Sequence, residues 1–228
     1  MLIGLGTLIL LSLIFGPQLW TQHIFKRYKV QIDEIPGTGG ELARHLLDKL
    51  NMEEIQVELT EAGNDHYDPL EKIVRLSPDI HDGKSLTAIV VAAHEVGHAI
   101  QDHSAYKPLQ LRGQLAKYVA YSEKFASILL VAFPFMTILT HMPLVGGLML
   151  ASGVIMLLLP VAFHLVTLPV EIDASFRRAL PILIQGEYIP QSAIPIAHRI
   201  LTAAALTYLS ASLASLLNFY RWIVFLRR

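Results

Sequence analysis

The sequence predicts a mainly α-helical integral membrane protein with about four transmembrane helices and a small water-facing α+β region. Three observations predict this class. Of the 228 residues, 53% are apolar and only 16% are charged, whereas soluble domains carry about a quarter charged residues. Residues 26–124 hold 28 of the 37 charged side chains. Residues 125–170 and 200–220 hold none, and about 20 apolar residues suffice for a helix to cross a bilayer.

Charge balance and cysteine count exclude several classes of protein. Eighteen basic and nineteen acidic residues leave a net charge of −1, so there is no basic surplus and we expect no nucleic-acid partner. The absence of cysteine excludes disulfides, thiolate zinc sites, iron–sulfur clusters and cysteine nucleophiles. The ten histidines therefore become the soft ligands to consider for a metal.

The uncharged segments predict the membrane helices. Residues 1–25 predict an N-terminal transmembrane anchor, because they lack the basic start and the cleavage site of a signal peptide. Residues 125–170 are long enough for two spans, and Pro143 near their centre favours a helical hairpin. A single soluble helix is the alternative, but such a run would have no solvent face. Residues 200–225 predict a C-terminal transmembrane helix.

Basic residues predict the orientation in the membrane. Four spans would place the 12 basic residues of 26–124 and three arginines of 171–199 on one side, against Arg221, Arg227 and Arg228 on the other. The first side is therefore predicted to be cytoplasmic. Arg227 and Arg228 oppose this rule, which leaves a partly interfacial last helix as an alternative.

Within the water-facing region 26–124, the spacing of residues 41–51 predicts a helix. Residues 55–59 and 72–76 alternate apolar and polar side chains, which predicts two strands, either as a hairpin or as neighbours. Residues 65–69 between them are too polar for a core and are predicted to form a loop.

Residues 85–103 predict a buried helix that carries the clearest chemical motif. Ser85 is a suitable N-cap, and the following residues are apolar on nearly every face. His94, Glu95 and His98 form an H-E-x-x-H motif. The two imidazoles lie on one helical face with their roots roughly 6 Å apart, so both can bind one zinc ion. Glu95 is then the candidate catalytic residue, which removes a proton from a zinc-bound water.

The surroundings of the motif favour a site over a chance match. Within residues 86–100 the motif supplies the three ionisable side chains, and their burial is costly unless something binds them. Gly97 inside the helix costs about 1 kcal/mol relative to alanine, so we expect another element to pack closely against it. The alternative is a pair of hydrogen-bonded core histidines with a capping glutamate.

A catalytic zinc needs a third protein ligand and an open position. Residues 171–199 are predicted to contain a helix with this ligand and a connecting segment. Glu171 follows the apolar run directly, and a hairpin would return it to the membrane face that carries His94. The alternative is that Glu171 and Asp173 only mark the membrane boundary. His164 fits less well because it lies inside the apolar run.

Three segments together resemble the YugP-type membrane zinc metallopeptidase family of bacteria: 65–69 (DHYDP), 94–101 (HEVGHAIQ) and 168–175 (LPVEIDAS). The resemblance covers nearly the whole chain and implies a multi-pass zinc protease of the bacterial cytoplasmic membrane. The chain is more distantly similar to the gluzincins of the heat-shock and CAAX-protease groups, where apolar spans separate H-E-x-x-H from E-x-x-A-D. That similarity implies Glu171 as the third ligand and Glu95 as the base.

The sequence departs from the distant motif at one position. The aspartate that ends E-x-x-A-D supports a histidine ligand in those groups, and here it is Ser175. Asp102 or Asp173 could supply the missing carboxylate to a ligand histidine.

In zinc proteases a strand beside the zinc helix holds the substrate extended, and residues 72–77 are predicted to be that edge of a zincin-like domain. Residues 65–69 would then close one end of the cleft. This makes four side chains substrate-binding candidates: Asp65, His66, Tyr67 and Asp68. Four others could stabilise the transition state: His198, Tyr208, Arg178 and Tyr106.

The sequence thus predicts a zinc-dependent endopeptidase with one Zn²⁺ per chain and an active site on the cytoplasmic side. Its partners would be the lipid bilayer and a membrane-associated polypeptide substrate. One alternative is a non-catalytic, zinc-stabilised membrane interaction module, which the presence of Glu95 disfavours. Another is a metal transporter, which predicts ligands in several spans, whereas the long apolar run contains only His141 and His164.

Overall fold

The computed structural model describes residues 2–30 and 35–226, with side chains described except at 2–11, 14, 120 and 218–226. The described chain is mainly helical and contains a three-stranded sheet. Its α-helices are α1 (Leu2–Arg27), α2 (Gly39–Lys49), α3 (Pro78–His81), α4 (Leu86–His103), α5 (Lys107–Thr140), α6 (Pro143–Ile172), α7 (Leu180–Gln185) and α8 (Ile194–Leu226). A π-helical segment (Asp173–Ala179) joins α6 to α7, and a 3-10 turn (Gln191–Ala193) precedes α8. The strands are β1 (Gln56–Leu59), β2 (His66–Asp68) and β3 (Ile73–Leu76).

The sheet has the order β1-β3-β2, with β1 parallel and β2 antiparallel to the central β3. The two predicted strands are therefore neighbours, and a hairpin between them is wrong. The loop predicted for residues 65–69 is also wrong in part, because β2 forms there, with Tyr67 buried between two half-exposed neighbours. Residues 72–77 cannot supply the free edge that was predicted, because β3 has a partner on each side. The edge strand that lies beside α4 is β2.

Two capped helices pack together beside the sheet. Thr38 and Glu41 form a capping box at the start of α2, in which Glu41 N donates to Thr38 Oγ1 at 3.2 Å and Thr38 N donates to Glu41 Oε2 at 2.8 Å. Ser85 caps α4 as predicted, since its hydroxyl accepts from Ala88 N at 3.1 Å. Every residue of 86–99 is buried, because α2, the sheet, α8 and the π-helical segment surround α4. The predicted buried helix is confirmed.

Within the described residues, three segments are long and apolar enough to cross a membrane: Tyr121–Thr140, Pro143–Gln185 and Gln191–Leu217. α5 and α6 pack against each other as a hairpin that turns at His141, whose φ of 53° is left-handed. Large apolar side chains point outward from this hairpin, among them Ile138 at 72% exposure. An apolar surface of this kind suits lipid rather than water.

Two predicted boundaries fall inside continuous helices. α5 runs unbroken from Lys107 to Thr140, so the expected change from water-facing to membrane segment at residue 124 lies within one helix. α6 continues to Ile172, so Glu171 occupies the last turn of the apolar helix and not the start of a new one. The membrane hairpin therefore carries Glu171 directly.

α1 and α8 pack antiparallel. Thr21 Oγ1 donates to Ala203 O at 2.7 Å, and Ser210 Oγ donates to Leu13 O at 3.4 Å. The side chains of residues 2–11, which dominate the predicted N-terminal span, lie outside the described residues, as do the two C-terminal arginines that bear on orientation.

Candidate metal centre

His94 and His98 on α4 meet Glu171 at the end of α6, and all three side chains are buried. Glu171 Oε2 lies 3.1 Å from His94 Nε2 and 3.4 Å from His98 Nε2, and the potential ligand atoms all lie within 4.8 Å of one another. Two ligand atoms that bind zinc tetrahedrally at about 2.0–2.1 Å are separated by roughly 3.3 Å. The three side chains therefore fit a tetrahedral zinc site that has one open position.

The second nitrogen of each imidazole has a neutral partner. His98 Nδ1 lies 2.9 Å from Gln101 Oε1, which can only accept, so this nitrogen carries the proton. His94 Nδ1 lies 3.1 Å from Ser175 Oγ. A proton on Nδ1 leaves the Nε2 lone pair free for a metal, and in both rings Nε2 faces Glu171.

Gln101 connects His98 to a carboxylate. Its Nε2 donates to Val170 O at 2.8 Å and to Asp173 Oδ2 at 2.9 Å. Asp173 also accepts from Arg178 Nε at 2.7 Å. Asp173 thus supports His98 through Gln101 and not directly. Sequence reasoning missed Gln101, although it lies three residues after His98 and so on the same helical face.

Asp102 was expected to support a histidine, and the structure gives it other partners. Its carboxylate accepts from Tyr67 OH at 2.7 Å and forms an ion pair with Lys72. Neither His94 nor His98 hydrogen-bonds to it within the described part of the chain. Burial and the hydrogen bond to Asp102 raise the pKa of Tyr67, so the phenol stays protonated and donates. Asp102 therefore ties α4 to the sheet.

Gly97 allows the π-helical segment to approach α4. A Cβ at Gly97 would lie 2.8 Å from Ala174 O, so the close neighbour expected from the sequence is the backbone that follows Glu171. The same segment buries Asp173 and Ser175, the two residues that support the histidines. The lack of a side chain at Gly97 therefore allows α4 and the end of α6 to lie this close together.

We expect Gly97→Ala to destabilise the protein by about 1–3 kcal/mol, because the added methyl group overlaps the Ala174 carbonyl. Zinc content should fall as well, because the two helices must separate. Gly147→Ala is the matched control, since a Cβ on this glycine of α6 has no neighbour within 4 Å. Thermal unfolding in detergent and metal analysis would measure both variants. Equal unfolding temperatures and zinc contents would contradict the close-contact role of Gly97.

Arg112 on α5 holds the other oxygen of Glu171. Its Nη1 donates to Glu171 Oε1 at 2.9 Å, which leaves Oε2 to face the histidines. Sequence reasoning missed this contact, because the two residues lie 59 positions apart and no local motif marks Arg112.

Glu95 lies beside this cluster and is 7% exposed. Among the described residues no hydrogen bond ties its carboxylate. Burial raises the pKa of Glu95 to about 7, although the neighbouring His94 charge opposes this effect. A carboxyl group whose pKa is near neutrality can both accept and return a proton.

Two cavities reach this cluster. The larger, of about 760 Å³, lies between β2 and the first part of α5. The smaller, of about 290 Å³, lies between α1, α4 and α8. Asp65, His94, Glu95 and Tyr208 line both cavities, so the two cavities meet beside Glu95.

Of the four candidates for transition-state stabilisation, Tyr208 is the one that the structure brings to the cluster. Arg178 instead lies over the ring of Tyr106, with its guanidinium carbon 5.7 Å from the ring centre. His198 packs against Phe176, with 4.9 Å between the ring centres.

The four candidates in and before β2 line the larger cavity, and three of them also support the local backbone. Asp65 accepts from Ser77 N at 2.6 Å, and His66 Nδ1 donates to Asn64 O at 2.7 Å. Asp68 accepts from two backbone amides of the following turn. Their role in substrate binding stays a prediction.

Comparisons with known proteins bear on this chemistry. A family model described as "Putative neutral zinc metallopeptidase" matches residues 3–227. The curated protein "Putative membrane protease YugP" of Bacillus subtilis (strain 168) is 34% identical over 225 residues, which cover 96% of this chain and 93% of the relative. No solved structure gives a significant match.

Proposed function

The chain belongs to the family of neutral zinc metallopeptidases, as its resemblance to YugP-type proteins indicated, and from this premise we propose that it is a membrane-embedded zinc-dependent endopeptidase. One observation carries the proposal. His94, His98 and Glu171 converge at the spacing of zinc ligands, and beside them lies the carboxylate of Glu95, which has no hydrogen-bond partner among the described residues.

His94, His98 and Glu171 would hold one zinc ion per chain. Bound zinc supplies Lewis-acid chemistry, which polarises a carbonyl group and acidifies a water molecule. Two imidazoles and one carboxylate are the donor set of a catalytic site, since structural sites use four protein ligands. Ser175 and Gln101 orient the two rings, and Arg112 orients the carboxylate.

Glu95 would act as the general base and then as the general acid. Its carboxylate takes the proton from the attacking water and passes it to the leaving amine. Tyr208 lines the same space and would donate a hydrogen bond to the carbonyl oxygen as negative charge develops there. A zinc site with a purely structural role would need neither group, which favours the enzyme over an interaction module.

The edge strand β2 would hold the substrate. It borders the larger cavity, and a polypeptide can add to a sheet edge through main-chain hydrogen bonds whatever its sequence. Because cavities extend in two directions from Glu95, the cleft has room for substrate residues on both sides of the cleaved bond. This arrangement supports cleavage within a chain rather than at its end.

The active site would face the cytoplasm of a bacterial cell. The apolar helices support a place in the plasma membrane, with α1 as a fourth span. Fifteen of the 18 basic residues lie on the side of the metal centre under this topology, and the positive-inside rule assigns that side to the cytoplasm.

Metal removal tests the proposal. The detergent-purified protein should hydrolyse a peptide library, lose this activity when a chelator removes zinc, and regain it when zinc is added back. Magnesium should not restore activity, because it prefers an oxygen-rich octahedral environment and this site offers two nitrogens. Hydrolysis that continues after complete metal removal would contradict the proposed function.

A further inference from the structure

The smaller cavity lies between α1, α4 and α8 and has a mainly apolar wall. The wall away from the metal ligands combines five apolar side chains with the hydroxyls of Thr21 and Thr207; the apolar ones are Phe25, Val91, Ile200, Leu201 and Ala204. A volume of about 290 Å³ corresponds to roughly ten water molecules at about 30 Å³ each. The cavity can therefore receive one large side chain but not a folded segment.

The two cavities diverge along α4 from the cluster. The larger one reaches Asp102, and the smaller one reaches Val91, while His94 and Glu95 line both. A polypeptide that lies extended against β2 would pass Glu95 where the cavities meet. Neighbouring side chains of an extended chain point in opposite directions, so one of them can enter the smaller cavity while the next points away.

We propose that the smaller cavity is a specificity pocket that binds one large apolar side chain of the substrate, next to the cleaved bond. This inference rests on the proposed peptidase function and adds a substrate class to it: polypeptides with a residue such as leucine, methionine or phenylalanine at that position. The hydroxyls of Thr21 and Thr207 in the same lining already donate to Ala203 O and Ala204 O. The wall therefore disfavours polar side chains, because they would lose water and gain few partners.

The helix α1 is then a wall of the pocket as well as an anchor. Thr21 Oγ1 donates to Ala203 O at 2.7 Å, which holds α1 against α8 directly beside Ala204. Thr87 N donates to Tyr28 O at 3.2 Å, which holds the end of α1 at the start of α4. Hydrogen bonds thus tie α1 to both other walls, and the width of the pocket is set by three helices.

Changing the size of residue 204 tests the pocket. Ala204→Leu reduces the cavity and Ala204→Gly enlarges it, while Ala214→Leu makes the larger change on α8 outside the cavity lining. Cleavage sites in a peptide library would be identified by mass spectrometry, with zinc content as a check on the fold. In parallel, each change would be combined with Glu95→Gln, and the Kd of an uncleaved phenylalanine peptide would be measured.

We expect Ala204→Leu to lower kcat/KM for phenylalanine peptides about 10–100-fold and to shift the preference at one position to small residues. Ala204→Gly should shift it towards larger residues, and Ala214→Leu should behave as the wild type. Kd for the phenylalanine peptide should rise with Ala204→Leu. If the wild type cleaves and neither change at 204 alters preference or Kd, the pocket is rejected while the peptidase function stands. If the wild type cleaves nothing, the peptidase function is rejected, and with it the pocket that depends on it.

Discussion

Replacement of Glu95 by glutamine should abolish peptide hydrolysis while the protein keeps its zinc and its fold. The amide has the shape of the carboxylate but cannot take a proton from water, and loss of a general base costs on the order of 10²–10⁴-fold in rate. Among the described residues no hydrogen bond ends on the Glu95 carboxylate, so the change leaves no partner unsatisfied. Measurements of kcat and of zinc per chain on the same preparation would separate chemistry from folding.

Glu187→Gln makes the same change at an exposed position on the loop after α7 and should behave as the wild type. Glu95 must be ionised to accept a proton, so wild-type kcat/KM should rise with pH on its acid side. Because a bound cation favours the ionised form, that rise should lie below the pKa of about 7 that Glu95 has in its buried position without a metal. A Glu95→Gln variant that retains wild-type turnover would remove the proposed base.

Replacement of Glu171 by glutamine should remove the zinc as well as the activity. The two oxygens of Glu171 have different partners, since Oε2 faces both histidines and Oε1 accepts from Arg112. An amide has one oxygen, so either Arg112 or the metal position must face an NH₂ group instead. Glu171 is only 1% exposed, so water cannot replace the lost interaction. We expect zinc affinity to fall by more than about 100-fold, beyond the 10–100-fold typical of groups that only support a ligand.

Asp173→Asn, two residues further along the chain, is the comparison variant, because it changes a carboxylate that supports a ligand without being one. Its carboxylate accepts from Gln101 and Arg178 and reaches His98 only through Gln101. A loss of about 10–100-fold in zinc affinity is therefore expected. Competition with a chromophoric chelator would rank the two variants. Wild-type affinity in Glu171→Gln, or a larger loss in Asp173→Asn, would show that Glu171 is not a ligand.

The elements of the fold that depend on local spacing were predictable. The buried helix α4 follows from an apolar run behind the N-cap Ser85, and strands β1 and β3 follow from alternation in residues 55–59 and 72–76. Strand β2 was not predictable, because a single buried Tyr67 between two polar residues gives no period. The parallel pairing of β1 and β3 was not predictable either, because alternation shows a half-buried strand but not its neighbour.

The sequence by itself determined that His94 and His98 share one helical face, because that follows from the geometry of any α-helix. It also determined which uncharged stretches are long enough to cross a bilayer as helices. Only the tertiary structure decided what surrounds the two rings. Glu171 contacts His94 although 77 positions separate them in the sequence, and Asp173 contacts Gln101 across 72 positions. Contacts over such separations depend on how whole helices pack against α4, and no local spacing in the chain encodes that packing.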